Sequence, residues 1–289
     1  MKAIIAGGSG FLGSALAASL RLDGHRVLVM SRHPKGRDEV PWTDPSVFDG
    51  ADAVVNLAGE PLDAGRWTET RKASILESRV RATQTLVKAM SSVTRRPGVL
   101  LNGSAVGIYG AHGAEALTED SPPGSDYLAS VSVEWEKAAM AAAWMTRVVL
   151  LRTGLVLDST GGALPKLALP FKLFAGGRVG SGDQYWSWIH REDWTRLARW
   201  AIDNPEIKGP INLTAPSPVT NREFASALAH ALHRPAFAPA PAFAMRLALG
   251  EMADAMILSG QRVLPAKATR NGFEFRYPDL ASALRQIYQ

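Results

Sequence analysis

MKAIIAGGSGFLGSALAASL, residues 1–20, decides how this chain folds. Residues 2–6 form a short apolar run, and residues 7–13 read Gly-Gly-Ser-Gly-Phe-Leu-Gly. Leu12, Ala15, Leu16, Ser19 and Leu20 then recur at helical spacing, and the pattern stops near Gly24. Strand, glycine turn and helix in immediate succession are the opening of a dinucleotide-binding unit. Read from Gly8 the turn is G-x-G-x-x-G; read from Gly7 it is G-x-x-G-x-x-G. Glycine permits the tight turn, lets backbone approach a pyrophosphate, and allows close helix-to-strand packing. The pyrophosphate would rest on the free N–H groups at the helix N-terminus. Gly7, Ser9, Gly10, Phe11 and Leu12 are the candidate contacts.

Outward from this turn, apolar runs at 26–30, 53–57, 99–102 and 147–151 alternate with helical patterns, the longest over 70–90 and roughly 127–143. Strand–helix alternation predicts an α/β fold with a doubly wound parallel sheet, the Rossmann arrangement. After residue 157 the pattern changes. Residues 161–190 carry many glycines, prolines and aromatics and read as an irregular lobe over a cleft. Helices follow at 193–204, 221–232 and 244–258, with a short strand at 211–213. The expected division is a cofactor domain over 1–157, rejoined by 190–214, and a smaller C-terminal substrate lobe with an extension over 158–289.

The residues after the second strand choose the cofactor. An NAD protein tends to place Asp or Glu there, to accept a hydrogen bond from ribose. This chain reads Leu28-Val29-Met30-Ser31-Arg32-His33. Arg32 offers a planar donor fork suited to a 2′-phosphate, and Ser31 can donate to it as well. NADP(H) is the expected cofactor.

Composition narrows the class further. No cysteine is present, which removes disulfide and thiolate chemistry and suits a reducing cytoplasm. No apolar stretch approaches the roughly 20 residues that span a bilayer, so no membrane partner is expected. The net charge of +5 is scattered, which is weak support for nucleic acid and slight support for anionic small ligands. The six histidines show no metal-ligand spacing, so no metal is expected. Tyr185, Trp186, Trp188 and His190 could wall a substrate pocket or pin the lobe to the core.

GGSGFLG, SRHP, NLAGEPL with RWTETRKASILESR, LLNGSAVGIYG, EDSPPGSDYLASVSVEWE, RTGLVL, GSGDQYWSWIHREDW and the tail GEMADAMILSGQRVLPAKATRNGFEFRYPDLASAL follow one another along the chain. Together they resemble, from end to end, an extended short-chain dehydrogenase/reductase of the epimerase-like kind that carries a C-terminal extension. Such proteins are often labelled NAD-dependent epimerase/dehydratase or nucleotide-sugar epimerase. The resemblance implies that Leu57, Ala58 and Gly59, then Glu60, lie along adenosine and ribose. It implies that Arg79 reaches a phosphate and that Val156 passes the nicotinamide by its backbone. Ser104 would offer substrate a hydroxyl.

In most extended members a tyrosine is followed four residues later by lysine, whose charge lowers the phenol pKa for proton transfer. Tyr127 falls at that tyrosine, but residue 131 is valine. Tyr127 therefore reads as a packing residue near the cleft more than as a tuned acid, and Tyr109 is a second phenol without an activator. The leading expectation is an oxidoreductase, epimerase or dehydratase using NADP(H) on a small polar metabolite, as a monomer or homodimer. The competing expectation is a non-catalytic NADP(H)-binding sensor or regulatory protein.

Overall fold

The structure is a computed structural model and describes residues 1–289. Seven strands make the central sheet: β1 (Lys2–Ala6), β2 (Arg26–Ser31), β3 (Glu39–Pro41), β4 (Ala53–Asn56), β5 (Val99–Ala105), β6 (Arg147–Thr153) and β7 (Gly209–Leu213). Their order is β7-β6-β5-β4-β1-β2-β3, and every pairing is parallel. Helices must then cover both faces, which is why the strands read as unbroken apolar runs rather than alternating ones. On one face α1 (Phe11–Leu22) and α5 (Arg191–Asp203) bury Leu16, Leu20, Trp194 and Leu197 against Ile5, Val55 and Leu151. On the other, α2 (Glu69–Ser91) and α3 (Tyr127–Met140) bury Leu86, Met90 and Ala139 against Ile4, Val54 and Leu100.

A second core holds Leu157, Phe171, Trp186, Trp188, Phe224, Leu228, Leu280 and Leu284. It joins α4 (Leu164–Lys172), α6 (Asn221–Leu232) and a terminal helix, Leu280–Tyr288. Several elements depart from the sequence reading, the terminal helix among them. α4 lies within the stretch expected to be irregular, its apolar positions hidden among flanking glycines and prolines. β3 is a short edge strand that carries little apolar signal. The helix expected over 244–258 breaks at Gly250, whose φ of +64° ends α7 (Ala242–Leu249). The extension then returns to the first core: Arg262–Val263 pairs with Ala116–Leu117 in a separate two-stranded ribbon, and Ala268 and Phe273 enter that core. No helix is long and apolar enough to cross a membrane.

A buried polar network ties these parts together at the carboxyl ends of the strands. Glu136 on α3 accepts two bonds from Arg152 on β6, both at 2.9 Å. Arg152 also donates to the Tyr109 hydroxyl at 3.0 Å, which donates to Asn212 Oδ1 at 2.7 Å. Asn212 on β7 donates its backbone N–H to Glu119 and its side-chain amide to the Leu264 carbonyl. Glu119 also accepts the Lys267 N–H. Removing one partner of a buried pair leaves the other charged and unpaired. Glu136→Ala should therefore lower stability by about 3–5 kcal/mol in urea unfolding, and a Glu136→Leu/Arg152→Met double variant should recover most of that loss. A single variant as stable as the parent would contradict this placement of the charge.

Candidate functional site

The glycine turn is packed too tightly for any side chain. Gly7 sits at φ +78°, and a Cβ there would lie 2.7 Å from the Leu57 carbonyl. A Cβ on Gly13 would lie 2.2 Å from the Gly7 oxygen, so α1 rests directly on the turn. The Gly10 N–H closes the turn on the Gly7 oxygen at 3.0 Å, while Gly8 faces the Val29 methyls. α1 starts at Phe11 with Gly10 as an N-cap that supplies no side-chain bond. Its first N–H groups are therefore open, with Ser9 and Gly10 exposed and Phe11 and Leu12 partly so. The Phe11 ring lies against Gly161 and Gly162, and the Val156 carbonyl approaches Gly162 from beneath.

At the edge of β2, the Ser31 hydroxyl accepts the His33 N–H at 3.2 Å. Arg32 beside it is exposed and enters no ion pair. Leu57 and Ala58 follow β4, and Ala58 donates its N–H to Asn56 Oδ1. Gly59 lies on the stem of Arg79, where a Cβ would come within 3.0 Å of Cγ. The Arg79 guanidinium is partly buried over Trp135, donates to the Ile75 carbonyl at 2.9 Å, and has no carboxylate partner. Burial lowers its pKa below the ordinary arginine value. Glu60 differs from its neighbours: its carboxylate is engaged by Arg71. The structure thus gathers Gly7–Leu12, Ser31–Arg32, Leu57–Gly59, Arg79 and Val156 along the carboxyl edge of the sheet, where open α/β sheets bind ligands.

The proton-transfer positions are arranged otherwise. Ser104 is 5% exposed and donates to Glu136 at 2.6 Å, so its proton faces the buried network. Tyr127 is the first residue of α3, and its hydroxyl donates to the Lys72 backbone carbonyl at 2.9 Å. Burial raises its pKa, only partly offset by Arg79 and Lys72. Val131 is 3% exposed among Trp67, Ile75 and Met252. That position is apolar core, where an ammonium would be costly to bury. The Lys72 ammonium stands 5.5 Å from the Tyr127 ring centre, but Glu69 and Glu251 hold it. Tyr109 is fully buried, and burial pushes its phenol pKa up.

Of the aromatic segment, Trp188 and His190 are buried. His190 caps α5 by accepting the Glu192 N–H, and its other nitrogen meets Gln286 at 2.8 Å. This segment pins the lobe, and only Tyr185 remains partly open. One pair escaped the sequence reading: Gln261 and Arg262 in the extension. Gln261 donates to the Val106 carbonyl just past β5 at 2.9 Å, and Arg262 lies over the Tyr185 ring. The polar pair inside the otherwise apolar ILSGQRVLP was the signal that could have marked them.

Comparison with known proteins follows the same lines. The model of the NAD dependent epimerase/dehydratase family matches residues 3–213, and a domain of unknown function, DUF1731, matches residues 240–287. The chain is 41% identical to "Epimerase family protein SDR39U1 homolog, chloroplastic" of Arabidopsis thaliana, over 100% of this chain and 87% of that protein. It is 40% identical to "Epimerase family protein YfhF" of Bacillus subtilis, over 99% and 98%. Human SDR39U1, crystallised with NADPH, superposes with a TM-score of 0.94 at 35% identity over 100% of this chain and 99% of that one. With sequence and structure matched over its whole length, the chain belongs to the NAD dependent epimerase/dehydratase family.

Proposed function

We propose that this chain binds NADP(H) along the carboxyl edge of its sheet and acts as an oxidoreductase, or as an epimerase or dehydratase, on a small polar metabolite. The observation that carries the cofactor choice is Arg32, an exposed and unpaired cation where an NAD protein would place an acid. The NADPH bound to human SDR39U1 supports the same reading. The residues fit the group: there is no room for a Cβ at Gly7 or Gly13, the first turn of α1 is open, and Arg79 lacks an acid.

Ser9, Gly10, Phe11 and Leu12 would hold the pyrophosphate by backbone N–H groups, and Ser31 and Arg32 the 2′-phosphate. Leu57, Ala58 and Gly59 would lie along adenosine and ribose, with Glu60 turned to Arg71. Arg79 would meet a phosphate from below, and Val156 would hold the nicotinamide end by its backbone. NADPH, when bound, supplies a hydride. The chain's own part is to orient the nicotinamide and exclude water with the Phe11–Gly162 contact. Tyr127 holds the start of α3 against α2 rather than moving a proton. The absence of cysteine fits a cytoplasmic setting.

A second reading, an NADP(H)-binding sensor without turnover, is favoured by one observation: Ser104 is tied to Glu136 while Val131 is core. Monitoring NADPH oxidation at 340 nm against a panel of small carbonyl metabolites separates the two, since a sensor binds NADPH without consuming it.

Charge-assisted bonds are worth about 1.5–3 kcal/mol, so Arg32→Ala should weaken NADPH binding roughly ten- to a hundredfold in calorimetry. NADH affinity should change little; equal losses for both would overturn the assignment. Tyr127→Phe should leave NADPH affinity intact and lower turnover of any substrate found by less than about tenfold, where a general acid contributes about 10²–10⁴-fold. A thousandfold drop would make Tyr127 the acid.

A further inference from the structure

The reading above leaves the substrate unspecified, and the extension carries an arginine that narrows it. Arg262 is partly buried, its guanidinium carbon 5.7 Å from the centre of the Tyr185 ring. Its only polar contact is a long one, 3.5 Å, to the Ala114 carbonyl, and it has no carboxylate partner. Of the acids near these residues in sequence, Asp183 pairs with Arg222 at 2.9 Å, and neither it nor Glu115 forms an ion pair with Arg262. The Tyr185 hydroxyl makes no hydrogen bond within the chain, though the residue is partly exposed.

The position of this pair is built. Gln261 is anchored on Val106, two residues past Ser104. The Ser187 hydroxyl donates to the Gln261 carbonyl at 2.7 Å and accepts the Val263 N–H at 2.8 Å. The Ser187 carbonyl in turn accepts the Leu155 N–H at 2.8 Å, just past the end of β6. Gly260 lets the extension press on the Tyr185 backbone, since a Cβ there would lie 1.9 Å from the Tyr185 carbonyl oxygen. The residues on either side of Arg262 are thereby tied to the segments that follow β5 and β6.

An arginine kept rigid by stacking, short of counter-charge and open at its outer edge is suited to a planar or tetrahedral oxyanion. We infer that Arg262, with the Tyr185 hydroxyl, forms the anion-recognition site for the substrate, and that the metabolite carries a carboxylate or a phosphate. This rests on the proposal that the nicotinamide end lies near Val156.

Calorimetry on the NADP⁺-loaded protein with acetoacetate, dihydroxyacetone phosphate and their neutral counterparts acetoacetamide and dihydroxyacetone tests it. At least one anion should bind about ten- to a hundredfold more tightly than its neutral partner, and which one does separates carboxylate from phosphate. Arg262→Gln should abolish that preference, about ten- to a hundredfold, at unchanged NADP⁺ affinity. Arg262→Lys should keep part of it, and serves if the glutamine variant does not fold. Equal binding of charged and neutral probes, no binding of any, or an anion preference undiminished in whichever variant folds would overturn the inference. Failure of NADP⁺ itself to bind would instead defeat the cofactor reading, and the anion comparison would then be made on the cofactor-free protein.

Discussion

The contact between Gly13 and the Gly7 carbonyl governs how the rest of the molecule can be used. With 2.2 Å between a would-be Cβ and that oxygen, α1 begins directly on the turn that follows β1, an interior strand flanked by β4 and β2. The first N–H groups of α1 are therefore fixed at the carboxyl edge, next to the Leu57 backbone on which Gly7 is pressed. A helix terminus carries a partial positive charge that falls off within a turn, so its distance to a ligand phosphate matters greatly. Arg32 on one side and Arg79 on the other add full charges to the same edge.

The opposite end of the edge shows what the extension changes. Met252 packs on Val131, and Glu251 holds Lys72 beside Tyr127. The extension thus fills, with apolar and ion-paired side chains, the place where a lysine would tune the tyrosine. Its later part supplies Leu264 and Lys267 to the network around Asn212 and Glu119, whose Arg152–Glu136 pair holds Ser104. The two ends of this edge differ: around Arg32 and the start of α1 it is open and cationic, and around Val131 and Ser104 it is buried.

Much of the first half was legible in the sequence, because its signals are local. The glycine spacing, the apolar runs of the buried parallel strands and the missing acid before Arg32 each lie within a few consecutive residues. The second half depends on partners far along the chain. Ser104 was expected to offer a substrate a hydroxyl, and its bond to Glu136, 32 residues away, had no local signal. His190 looked like a pocket residue until Gln286, 96 residues on, covered it. α4 was obscured by the glycines and prolines around it, and the single helix expected across Gly250 could not survive a positive φ there. Tyr127 was the exception: valine at 131 already argued against a tuned acid.

The protonation of the Tyr127 phenol can be measured without a substrate. With ¹³Cζ-labelled tyrosine in the cofactor-free protein, the Tyr127 resonance can be assigned by its loss in Tyr127→Phe and followed through a pH titration by NMR. Burial raises this phenol above its ordinary value of 10, so the resonance should not titrate below that value. A Tyr127 resonance that titrates near pH 7 would contradict the account and restore the tyrosine as an acid.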